Sequence, residues 1–100
     1  MTMKKFVLLY QGTRDQVPTD ESTAAWIEWF ASLGDAVVDA GNPFSLGREV
    51  RADGTVDIAP SDEGVTGYTL INAPDIDAAE KIALSHPIVR TIQVFEAVPM

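Results

Sequence analysis

The stretch "KKFVLLYQG" holds an unbroken apolar run from Phe6 to Tyr10, stopped by Gly12. Successive side chains of a strand point to opposite faces, so a strand with one wet face alternates apolar and polar residues. A run without alternation needs cover on both faces. The residues are β-favouring, and the run predicts an interior strand rather than an edge. Whatever fold this chain adopts must therefore supply a layer above this strand and a second neighbour below it.

The remaining elements follow from period and punctuation. In "VPTDESTAAWIEWFASLGDAVVDAGNPF", Pro18, Thr19 and Asp20 mark a helix start, with Asp20 and Glu21 at the positive end of the dipole. Trp26, Phe30, Leu33 and Val37 recur at helical spacing, with Trp29, Ala36 and Ala40 beside them. The pattern predicts one helix running to Gly41 and Pro43, with Gly34 as an internal close-packing point or slight break. Asp53-Gly54 in "GREVRADGTVDIAP" is a two-residue hairpin signal. "VTGYTLINA" reads as a strand. "PDIDAAEKIALSHP" reads as a second helix capped by Asp75, striped by Ile76, Ala79, Ile82 and Ala83, and stopped by Pro87. "RTIQVFEAV" alternates, with Ile92, Val94 and Val98 opposite Phe95 and Ala97.

This order is β-α-β-β-α-β with a small extra hairpin, the ferredoxin-like α+β plan in a single domain over residues 1–100. Both helices cover one face of a four-stranded antiparallel sheet, with the first and third strands central. The helix-free face should then be polar. In either phase it is not, since Phe6, Leu8 and Tyr10 alternate with Val7 and Leu9, and Tyr68 and Leu70 with Ile71 and Ala73. About six such side chains, if buried, contribute on the order of 10 kcal/mol. The expected cover is a second copy, sheet against sheet, giving a homodimer.

Composition narrows the function. The chain has no cysteine and one histidine, which removes thiol chemistry and multi-histidine metal sites; no metal or cofactor is expected. A formal net charge of −8 opposes phosphate backbones and anionic lipid, so neither nucleic acid nor membrane is an expected partner. No apolar run approaches the roughly 20 residues of a spanning helix, and the apolar core of "MTMKKFVLLYQG" is shorter than a signal-peptide core. The expected location is the cytoplasm.

Taken with "LGDAVVDAGNPF" and "GYTLINAPDIDAA", the whole chain resembles the YCII-related proteins of the dimeric α+β barrel superfamily. The resemblance implies two ferredoxin-like subunits joined through their sheets, with a ligand cleft between sheet and long helix. It also implies small-molecule chemistry, lyases and isomerases acting on ring-cleavage or chlorinated aromatic metabolites being known among such relatives. Relatives regarded as enzymes carry a histidine early in the long helix, working with an aspartate. Here that stretch is "STAAWIEWF", and His86-Pro87 stands where the family's second helix often ends in Asp-Pro. The acid–base pair is thus incomplete or relocated.

The candidate catalytic residues are His86 and Asp39. His86 has an imidazole suited to proton transfer near neutral pH, and equally it is punctuation at a helix C-terminus. Asp39, expected in the last turn of the long helix, would sit against the dipole there, a local conflict that marks functional sites. Substrate contacts are expected from Tyr10, Trp26, Asn42, Tyr68 and Arg90, with Arg14 a second cation for an anionic ligand. Two readings remain open: a small-molecule lyase, isomerase or binder for a cyclic or anionic metabolite, and a non-catalytic dimerisation or binding module.

Overall fold

A computed structural model describes residues 3–12, 20–58, 64–87 and 91–100. The elements in order are β1 (Lys4–Gln11), α1 (Asp20–Leu33), a 3-10 turn (Gly34–Ala36), β2 (Val37–Asp39), β3 (Gly47–Arg51), β4 (Gly54–Ile58), β5 (Val65–Ala73), α2 (Ile76–Leu84) and β6 (Thr91–Ala97). Four strands form an antiparallel sheet in the order β2-β5-β1-β6, and β3 and β4 form a separate two-stranded sheet. This is the ferredoxin-like α+β arrangement, with β1 and β5 central as the apolar run in β1 requires.

Register explains the core. Phe6 lies opposite Ile71 and Leu8 opposite Thr69, while on the other side of β1 Leu8 faces Val94 and Tyr10 faces Ile92. All of these project toward the helices. Trp29 of α1 and Ala79 and Ala83 of α2 complete the buried cluster, with Trp26, Phe30, Leu33 and Ile82 packed against it. Phe6, Leu8 and Ile71 are 0% exposed, and each such side chain contributes about 1.5–3 kcal/mol. Alanines on α2 let that helix approach the sheet closely. Asp75 caps it, its side chain accepting from the Ala78 N–H at 2.8 Å.

Three expectations need correction. The long helix does not run to Gly41. Gly34 adopts φ +57°, a left-handed conformation that ends α1, and a side chain there would meet nothing within 4 Å. The glycine serves backbone conformation rather than close packing. Past the 3-10 turn, the β-branched Val37 and Val38 extend, and Val37 pairs with Ile71. Asp39 therefore lies in strand β2, and no helix dipole acts against it. Second, the hairpin turn is Ala52–Asp53, with Arg51 opposite Gly54; no described non-glycine residue has positive φ, so the unusual φ falls on Gly54 instead. Third, Ile76 is exposed, leaving Ala79, Ile82 and Ala83 as the apolar stripe of α2. The start of α1 at Pro18 and Thr19 lies outside the described residues. Among the described residues no helix is long and apolar enough to cross a membrane.

Candidate functional site

Two groups of the candidate residues come together, on opposite faces of the sheet. The first is the helix side. Tyr10 meets Trp26 edge-on with ring centroids 5.4 Å apart, and Trp26 meets Trp29 at 5.4 Å and Phe30 at 5.9 Å. Aromatic pairs of this kind, edge-on for Tyr10–Trp26 and Trp26–Trp29 and stacked for Trp26–Phe30, add about 0.5–1.5 kcal/mol each to area burial. Trp29 Nε1 donates to Ser85 Oγ at 2.8 Å, and Ser85 Oγ donates to the Ile82 carbonyl at 2.6 Å, tying α1 to the end of α2. Beneath the rings, Thr69 Oγ1 donates to the Ala40 carbonyl at 2.8 Å. A hydroxyl has one proton, so its contact with Tyr10 Oη at 2.5 Å is made by the tyrosine donating. Burial pushes the Tyr10 phenol above its ordinary value. Tyr10 is thus held as a neutral donor, and its hydroxyl is spent inside the protein.

His86 belongs to this layer. Its backbone N–H donates to the Ala83 carbonyl at 3.2 Å. Its ring Nδ1 lies 2.5 Å from the same carbonyl, which accepts only, so Nδ1 carries the proton. The imidazole closes the C-terminus of α2.

The second group lies at the β2 corner of the helix-free face. Gly41 adopts φ +79°, and a Cβ there would fall 1.7 Å from the Tyr68 carbonyl oxygen. Only glycine lets the chain pass this close to β5. Asp39 accepts from the Gly41 N–H at 2.9 Å through Oδ1, and Tyr68 Oη donates to Oδ2 at 3.4 Å, a long contact. Asn42 follows, exposed, and Pro43 bridges to Gly67. Phe44 N–H then donates to the Thr66 carbonyl at 2.8 Å, and the Phe44 ring stacks on Tyr68 at 5.7 Å and 23°. The corner joins one carboxylate, one phenol and two ring faces.

Asp39 and Tyr68 are therefore brought together, with Asn42 exposed in the chain that follows, Tyr10 and Trp26 are assembled elsewhere, and the sheet stands between Asp39 and His86. Arg14 and Arg90 lie outside the described residues. Sequence reasoning missed Phe44, although it directly follows the turn pair Asn42-Pro43. It also missed Thr69, whose signal was a hydroxyl set among apolar residues of a central strand.

The open face beside the Asp39 corner is mainly apolar. Phe95, Val7 and Leu70 form a row across β6, β1 and β5, and Gln93, Leu9 and Tyr68 form the next. Val7, Leu9 and Leu70 are partly buried, and Phe95 is 52% exposed. Lys5 and Asn72 lie toward the rim. Comparison with known protein families and with curated proteins finds no match to this chain.

Proposed function

We infer that this chain is a homodimeric α+β barrel protein of the YCII-related type that binds a small cyclic molecule at the Asp39–Tyr68–Phe44 corner. The observation that carries the reading is the open sheet face, an apolar row ending at a polar, aromatic corner. A second copy laid over Phe95, Val7, Leu9 and Leu70 removes that row from water and leaves the corner at the rim of the interface. There the Phe44 and Tyr68 rings offer a stacking surface and Asp39 an acceptor. A carboxylate on a chain of net charge −8 disfavours an anion. The ligand class is a neutral or cationic ring bearing a hydroxyl or amine donor.

A thermal-shift screen tests this with catechol, cyclic diols and aromatic amines against benzoate as the anionic comparison. A ligand at 100 times its Kd adds about 2.7 kcal/mol to the folded state. Binding should be lost in Asp39→Ala, weakened in Tyr68→Phe and kept in His86→Ala. The second reading is a lyase or isomerase working through His86, and it draws on the imidazole's suitability for proton transfer. Ligand binding that survives Asp39→Ala but disappears in His86→Ala would favour that second reading and remove the first.

A further inference from the structure

The β3–β4 hairpin has no cover. Every residue from Gly47 to Ile58 is exposed, and among the described residues the hairpin packs substantially against no other element. A lone two-stranded hairpin is marginally stable in water and needs a third strand or a packed face. Register places Val56 and Ile58 on one face with Glu49 and Arg51, and Val50 and Thr55 on the other with Arg48 and Asp57. Val56 and Ile58 are 49% and 51% exposed. The charged residues of the two strands are paired with one another: Arg48 Nε lies 3.3 Å from Asp57 Oδ1, and Arg51 pairs with Glu49. Aliphatic surface is what each strand has left to offer.

The hairpin is also continuous with the open face. The chain runs along the β5 edge through the Pro43–Gly67 bridge and the Phe44–Thr66 hydrogen bond before leaving for β3. Phe44, stacked on Tyr68, is the junction.

We propose that the β3–β4 hairpin is a dimer arm, its Val56 and Ile58 face packing on a second copy of this chain. The proposal rests on the homodimer reading above. Buried area selects a second copy as the occupant. Four strands at about 4.8 Å spacing and about 25 Å of strand give the open face a footprint of roughly 450 Å². A stable interface removes roughly 800 Å² from each partner. In a two-fold dimer each copy both supplies an arm and receives one, so an arm face of roughly 170 Å² counts twice per copy and brings the total into that range. The same contact supplies the cover the hairpin lacks and the area the sheet face lacks.

Sedimentation equilibrium of the full chain tests the arm, beside the Val56→Asp/Ile58→Asp double variant and Val50→Asp on the opposite hairpin face. Circular dichroism checks that the four-stranded core is unchanged in each. The wild-type chain is expected to be a dimer, the double variant to raise the dimer Kd about a hundredfold, and Val50→Asp to change it by less than about threefold. A double variant as tightly dimeric as the wild type overturns the arm and leaves the sheet-face dimer standing, with the hairpin facing another partner. A wild-type chain that is monomeric at about 100 μM overturns both. Amide exchange separates loss of contact from a melted hairpin. Residues 47–58 should be protected in the wild-type dimer and exchange rapidly in a Leu70→Asp monomer. Equally rapid exchange in both overturns the arm.

Discussion

Leu8 and Leu9 are neighbours in one strand with the same side chain and opposite circumstances. Leu8 is sealed between Thr69, Val94 and the helix layer, at 0% exposure. Leu9 sits between Tyr68 and Gln93 on the open face, only partly buried. The two faces of this sheet are thus similar in apolar content and different in cover. One is closed by the chain's own helices, where Ala79 and Ala83 allow close approach. The other is closed by nothing within the chain among the described residues. Apolar content alone therefore does not mark the core; what distinguishes it is the presence of a covering layer.

The sharpest way to break this comparison is to truncate both leucines. Leu8→Ala should lower unfolding stability by about 3 kcal/mol, while Leu9→Ala should cost less than about 1 kcal/mol in a dilute monomeric sample. Equal losses in urea melts would mean that the two faces are equally buried in one copy. Next in size is Thr69→Val. It leaves the Ala40 carbonyl and the Tyr10 hydroxyl without their partner inside the helix-side layer, at about 1–3 kcal/mol. A neutral result in the same melts would mean that this layer admits water. Asp75→Ala removes the cap of the helix that makes the covered face, and a loss of about 1 kcal/mol is expected in thermal unfolding.

The smallest effect is in pH. The Tyr10 phenol is raised by burial, so the native state holds its proton more tightly than the unfolded chain does. Stability from this group is fully present below the unfolded value of 10.0 and is lost as pH rises through the higher native value. Stability measured from pH 9 upward should therefore fall around and above pH ~10, and Tyr10→Phe should flatten part of that fall. An unchanged slope in Tyr10→Phe would mean that the phenol is not desolvated.

Much of the fold was legible. The unbroken run Phe6–Tyr10 predicted a central strand, Asp75 predicted a helix cap, and strand order followed from the β-α-β-β-α-β succession. The end of α1 was not legible, because "GDAVVDAG" continues a helical apolar pattern while Gly34 breaks it by backbone conformation alone. That error carried Asp39 into a helix and gave it a dipole conflict it does not have. Of the candidate site, the meeting of Asp39 and Tyr68 needed the closeness of Gly41 to Tyr68, a contact between residues far apart in sequence.

Local chemistry thus determined by itself which residues extend, which coil, which face of each strand is apolar, and that both faces of β1 need cover. It also determined that His86-Pro87 ends α2, because proline forbids continuation. Only tertiary structure decided that the imidazole and Asp39 stand on opposite sides of the sheet, and that Phe44 lies on Tyr68. Periodicity assigns side chains to faces within an element, whereas proximity between elements depends on strand register and on where a single left-handed glycine turns the chain.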